Sequence, residues 1–248
     1  MTTRPDYFDR YDTLAFERTD NGILTLRLHS NGGPVVYQSA HHRDWAHAFL
    51  DIAADRENRV VILTGTGDAF IDAYGWDIPL EDGESWDRIH WEAKRVLSTL
   101  LDIDVPIIGA VNGPATIHAE LAVLSDITLA SETATFQDAA HIPFQVAPGD
   151  GVHIVWQELL GSNRGRYFLL TSQVLSAQEA LELGVVNEVV PPEQLMARAM
   201  ELAEQLAALP TLTLRHSRVA LTQRWKRLML ENLGYGLSLE GLTLLHSS

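Results

Sequence analysis

The chain has 248 residues, enough for one medium α/β domain with a helical extension. Its formal net charge of −15 repels a polyphosphate backbone and excludes nucleic acid as a partner, and the absence of cysteine excludes a disulfide framework, a thiolate nucleophile and thiolate metal sites. No apolar run is long enough for a signal core or a membrane span, so a cytoplasmic protein with no membrane partner is expected.

The runs 14–18 and 23–28 flank Thr19-Asp20-Asn21-Gly22, and an Asn-Gly between alternating apolar segments predicts an antiparallel hairpin. Trp45, Ala46, Phe49, Leu50, Ile52 and Ala53 recur at helical spacing, which predicts a helix over 39–54. Segment 60–65 is a short apolar run ended by a glycine, as in a strand buried on both faces. A helix over 86–101, a strand over 105–111, a helix after His118, a strand over 127–130 and a short strand at Thr135-Phe136 continue the alternation. Parallel strands joined by right-handed helical crossovers are the architecture that this order predicts. Beyond Gly149 the chain turns mainly helical, with helices expected over 162–171, 176–183, 192–209 and 210–246 and a short strand over 185–190. The last two helices are amphipathic and need a surface to cover, either the same core or a neighbouring subunit. A division into a core (1–190) and a helical region (191–248) follows.

A set of landmarks falls in a specific order. They are the run Val61-Ile62-Leu63-Thr64-Gly65-Thr66-Gly67-Asp68-Ala69-Phe70, the turn Val111-Asn112-Gly113, Ser125-Asp126-Ile127, Ala134-Thr135-Phe136, Pro148-Gly149-Asp150-Gly151, and 175–186. Together they resemble the crotonase (enoyl-CoA hydratase/isomerase) superfamily over about 14–190. The resemblance implies an α/β fold with a ββα spiral core and a C-terminal helical region that serves trimerisation and covers the active site. A homotrimer or dimer of trimers is the implied assembly.

The departures from that pattern carry as much information. Where the superfamily places a glycine-rich loop after Asn-Gly, so that a backbone N–H can approach a thioester oxygen, this chain has Ile117-His118-Ala119. The other half of that oxyanion hole is a small-residue stretch after Phe70, and here it is replaced by Ile71-Asp72-Ala73-Tyr74-Gly75-Trp76-Asp77. His141 stands where CoA hydratases carry a Pro-Glu pair, and Asp150 follows Pro148-Gly149 in place of a small residue. The set His118, His141 and Asp150, with His42 and Glu240, resembles the β-diketone hydrolase branch. Members of that branch use water, without CoA, to cleave the bond between two carbonyl groups. The resemblance implies a small cyclic diketone as the molecular partner, no cofactor, and Tyr37, Tyr74, Trp76 and Phe136 as substrate contacts.

Each of these residues has a plainer alternative. His118 sits between apolar neighbours, as a core histidine does, but an imidazole there can donate to a developing oxyanion. Asp150 is placed to cap a helix, or to form an acid–base dyad with His141 nine residues earlier. His41 and His42 point to different faces of one helix; the branch favours His42, five residues after an aromatic residue that is Tyr37 here and tryptophan there. Glu240 is either the solvent edge of an apolar helix or a partner for His42. Glu120 matches a glutamate of CoA hydratases and reads as structural without their glycines.

The residues together predict a hydrolase acting by a retro-Claisen step on a cyclic or bicyclic β-diketone to give a keto acid. No metal-ligand motif is present, so no metal is expected. A CoA-thioester hydratase or isomerase using Glu120 is the second reading, and a non-catalytic crotonase-like scaffold is the third.

Overall fold

The computed structural model describes residues 4–77 and 82–247. The predicted hairpin forms β1 (Leu14–Arg18) and β2 (Ile23–Leu28), paired antiparallel. β3 (Val36–Tyr37) leads into α1 (Ser39–Ala54), β4 (Val60–Thr64), β5 (Ala73–Tyr74) and α2 (Gly83–Asp102). After β6 (Ile107–Val111) come α3 (Glu120–Val123), β7 (Ile127–Ser131) and β8 (Thr135–Phe136), then α4 (Val152–Leu160) and α5 (Ser162–Thr171). The chain closes with β9 (Leu175–Ser176), α6 (Ala177–Glu182), β10 (Glu188–Val190), α7 (Leu195–Ala207) and α8 (Thr211–Ser247).

One sheet of order β1-β2-β4-β6-β7-β10 organises the molecule, and every pairing in it except the first is parallel. Thr25, Ile62, Ile108 and Ile127 stand side by side across it. Alternation then sends successive residues of one strand into different cores. Val61 and Leu63 join the large core with α1 and α2, whereas Val60 and Ile62 meet Ile108, Ala110 and Leu129 beneath α7. α7 presents Leu195, Ala199, Ala203 and Ala207, one residue every four, so its small-residue stripe lies flat on the sheet.

Three local expectations are corrected, and one pairing was not foreseen. The helix after His118 is a single turn, because residues 112–119 form the loop that the site requires. The strand expected over 185–190 shortens to β10, because the N–H groups of Val185 and Val186 turn back to the Ala180 carbonyl and close α6. Helical character after Gly149 begins with a separate helix, α4, which Gly161 ends at φ 78°. Finally, β3 and β5 pair in parallel and set Tyr37 beside Tyr74, a pairing too short to leave a periodic signal.

α8 runs 37 residues, about 55 Å at 1.5 Å per residue. Arginines at its start tie it to the sheet. Arg218, buried, donates to Asp126 at 2.7 Å and to the Leu101 and Ile103 carbonyls, while Asp126 also accepts from the Ile107 N–H. Arg218→Met therefore strands the Leu101 and Ile103 carbonyls, both in buried residues, and about 3 kcal/mol of stability should be lost. Urea unfolding checks this; an unchanged midpoint would show that the network is dispensable.

Candidate active site

The loop after β6 is built for a close approach. Asn112 donates to the Gly67 and Ala69 carbonyls at 2.9 and 2.8 Å, and a Cβ on Gly113 would lie 1.8 Å from the Asp68 carbonyl oxygen. Only Asn-Gly meets both demands. The Thr116 and Ile117 N–H groups then bond to the Ile71 carbonyl, so the two segments that depart from the superfamily pattern are tied to each other. His118 follows with φ 47°, a left-handed conformation that costs a non-glycine residue on the order of 1 kcal/mol. The backbone thus keeps a glycine-like bend where the chain carries an imidazole.

His118 points its Nδ1 to Glu120 Oε1 at 2.6 Å, with Asp150 Oδ2 at 3.5 Å. His141, buried, holds Asp138 Oδ1 on its Nδ1 at 2.7 Å, while its Nε2 faces Asp150 Oδ1 at 3.5 Å and Glu240 Oε1 at 4.0 Å. His42, on the first turn of α1, holds Glu92 Oε2 on its Nδ1 at 2.9 Å. Each of the three imidazoles therefore has its own buried carboxylate on Nδ1, which fixes its orientation and leaves Nε2 for chemistry. His41 is turned away, its ring held by Ser30 and by the Gln38 N–H.

Asp150 lies between two of these imidazoles. It also accepts from the Val152 N–H, but at 3.4 Å, so helix capping is a minor part of its environment. Gly149 lets this turn touch α8: a Cβ there would sit 2.2 Å from the Gly236 carbonyl oxygen. That contact brings Glu240 over the site and next to His141. The pairing of Glu240 with His42 expected from the sequence is not made, since Glu92 occupies that place.

These groups form one end of a cavity of about 380 Å³. Tyr37, Tyr74, Trp76, Trp86 and Phe144 supply an aromatic wall, with the Tyr37 ring 4.4 Å from that of His118. Phe136 is not part of the lining. It is fully buried in β8 with its ring against Trp156, because the alternation in that strand turns it into the core. Sequence reasoning missed Glu92, Asp138, Trp86 and Phe144. The signal for Glu92 was an acid within the buried stripe Ile89, Ala93, Val96 of α2, and for Asp138 a carboxylate three residues before His141.

Burial pushes all these groups toward their neutral forms, and the neighbouring charges decide which of them resist. For His141, burial lowers the pKa, but Asp150, Asp138 and Glu240 outweigh it and raise it to about 10. Burial likewise lowers His118, yet Glu120 and Asp150 carry it above its ordinary value. Asp150 is raised by burial and lowered more by the two imidazoles, so it stays a carboxylate. Glu240, buried beside Asp150, rises to about 8 and is a neutral acid at pH 7. In His42 burial prevails over Glu92, and the imidazole is neutral. The site therefore offers a carboxylate between the His141 imidazolium and an imidazole of raised proton affinity, His118, with a neutral carboxylic acid and a neutral imidazole beside them. Among the described residues, His118, Glu120 and Asp150, or His141, Asp150 and Glu240, are also close enough together to ligate a cation.

The family model described as enoyl-CoA hydratase/isomerase matches residues 19–234. A β-diketone hydrolase from the cyanobacterium Anabaena sp. PCC 7120, solved with (S)-3-oxocyclohexyl acetic acid bound, is 52% identical, covers 98% of each chain and superposes with a TM-score of 0.96. An enoyl-CoA hydratase/isomerase from Mycobacterium paratuberculosis, 24% identical over 94% of each chain with a TM-score of 0.84, shares the fold. The carnitinyl-CoA dehydratase of Salmonella heidelberg is 37% identical over 162 residues, a match that spans 64% of this chain and 61% of the dehydratase. The chain belongs to the enoyl-CoA hydratase/isomerase (crotonase) superfamily, on its β-diketone hydrolase branch.

Proposed function

We propose that the protein hydrolyses the bond between the two carbonyl groups of a small cyclic or bicyclic β-diketone, releasing a keto acid. The observation that carries this reading is His118, an imidazole held by Glu120 in a glycine-like backbone bend at the polar end of an aromatic cavity. The likeness to a β-diketone hydrolase that binds a keto acid supports it. Water attacks one carbonyl after losing a proton to a histidine, and His118, with the Tyr37 hydroxyl near it, stabilises the oxyanion. The tetrahedral intermediate collapses and expels the neighbouring carbon as an enolate, a feasible leaving group because the second carbonyl takes the charge. Glu240, neutral at pH 7, and the His141 imidazolium are the acids placed to protonate that carbon. Asp150 stabilises both imidazolium ions. Tyr74 and Trp76 pack against the substrate ring, and no step calls on a metal or CoA.

A CoA-thioester hydratase is the second reading, favoured by the carnitinyl-CoA dehydratase match. Its acid–base would be Glu120, which here is fully buried and committed to His118. Purified protein is expected to convert bicyclo[2.2.2]octane-2,6-dione to a keto acid in the presence of EDTA and without CoA. Hydration of crotonyl-CoA with an inert dione would favour the second reading.

A trimer or dimer of trimers completes the proposal. Leu212 and Leu230 lie on one side of α8, about five turns apart, and are exposed by two thirds or more, apolar surface that a partner subunit would bury. Sedimentation at micromolar concentration should show a trimer or hexamer, and a stable monomer would refute this assembly.

A further inference from the structure

Beside the main cavity lies a recess of about 10 Å³, the size of one water molecule. Its polar lining is Tyr37, His42, His118, Glu120 and Asp150; Val96 stands on its apolar side. Tyr37, His42, His118 and Asp150 line both spaces, so the recess adjoins the place where a substrate carbonyl meets His118. A buried water needs two to four polar partners, and this lining supplies a phenol, an imidazole and a carboxylate. We propose that the recess seats the hydrolytic water and that His42, positioned by Glu92, is the base that takes its proton, an inference that rests on the hydrolase reading above.

The three imidazoles divide by their neighbours. His118 and His141 each have a carboxylate on Nδ1 and a second, Asp150, within 3.5 Å, which suits them to hold protons and donate. Among the described residues Glu92 is the one carboxylate paired directly with His42; Asp150 across the recess also raises its proton affinity, His118 lowers it, and Arg88 stands 3.7 Å from Glu92. With its N–H given to Glu92, its Nε2 keeps the lone pair that a base requires. The pair is shielded, the two side chains being 6% and 8% exposed. Burial, which keeps His42 neutral, and the Glu92 carboxylate, which stabilises the cation once formed, act in the order that the reaction needs. The water gives one proton to Nε2, its oxygen bonds to the carbonyl carbon, and the π pair moves to the oxygen held by His118. Re-formation of that double bond breaks the carbon–carbon bond and leaves its electron pair as the enolate. A proton from Glu240 or His141 then goes to the carbon, and the proton on His42 replaces it through solvent.

Two variants and a crystal structure test the proposal. At high resolution the wild type should show an ordered water within 3.2 Å of His42 Nε2 and hydrogen-bonded to Tyr37 or Asp150. Val96→Leu, which adds bulk beside the recess, should displace that water and lower kcat about a hundredfold while (S)-3-oxocyclohexyl acetic acid still binds. Glu92→Gln removes the charge that raises the His42 pKa. The histidine titration seen by NMR and the acid limb of kcat/KM should then both move to lower pH, with kcat down at least tenfold. A recess that holds no water in the wild type overturns the water seat, and an unmoved titration and acid limb overturn the role of the pair. If the wild type holds the water but turns over no diketone, the hydrolase reading fails and the water seat stands.

Discussion

Asp150→Asn is expected to lower kcat by roughly three to four orders of magnitude, the scale seen when an acid that stabilises a catalytic imidazolium becomes an amide. The carboxylate is the shared neighbour of His118 and His141, at 3.5 Å from each, and its charge is a main cause of their raised affinity for protons. An amide supplies no such charge, so both imidazoles become poorer proton holders near neutral pH. Backbone order should survive, because the contact to the Val152 N–H is long and asparagine caps a helix as well as aspartate does. Steady-state kinetics beside a melting curve separates the two roles, and a fully active, equally stable variant would remove Asp150 from the mechanism.

The second large effect belongs to His118. Alanine would leave Glu120 buried without its partner and confuse lost chemistry with lost stability. His118→Asn is the cleaner change, since asparagine tolerates the left-handed bend and its amide can donate to Glu120. With the imidazolium gone from the oxyanion, kcat should fall by a hundredfold or more, the usual size for one such donor, with Tm within a few degrees of wild type. A variant with near-normal kcat would show that the carbonyl oxygen is held elsewhere.

Much of the fold was legible because its signals are local. The Asn21-Gly22 turn fixes the hairpin, the run before Gly65 marks a strand covered on both faces, and the period of α1 finds Trp45, Ala46, Phe49 and Ile52 of its buried side, while Leu50 faces out. What escaped were features that exist only once distant segments meet. β3 and β5 are two residues each, and their pairing, with the Gly75 N–H donating to the Tyr37 carbonyl, exists only in three dimensions. The loop histidine and Asp150 stood out because a polar residue occupied a place that the superfamily pattern gives to another type, and Glu240 because it is an acid on an otherwise apolar helix. Their partners Glu92 and Asp138 did not stand out, because an acid on a helix or in a turn usually faces water, and only packing shows that these two do not. Phe136 erred the other way: an aromatic residue in the right segment, turned inward by the pleat of a two-residue strand.

The most direct test of the central claim follows the oxygen atom. Purified protein is incubated in ¹⁸O-labelled water with bicyclo[2.2.2]octane-2,6-dione and EDTA, without CoA, and the products are read by mass spectrometry. A keto acid with one ¹⁸O in its new carboxylate is expected from the wild type and is lost in Asp150→Asn. An unchanged dione under these conditions, with crotonyl-CoA hydrated by the same preparation, would contradict the claim.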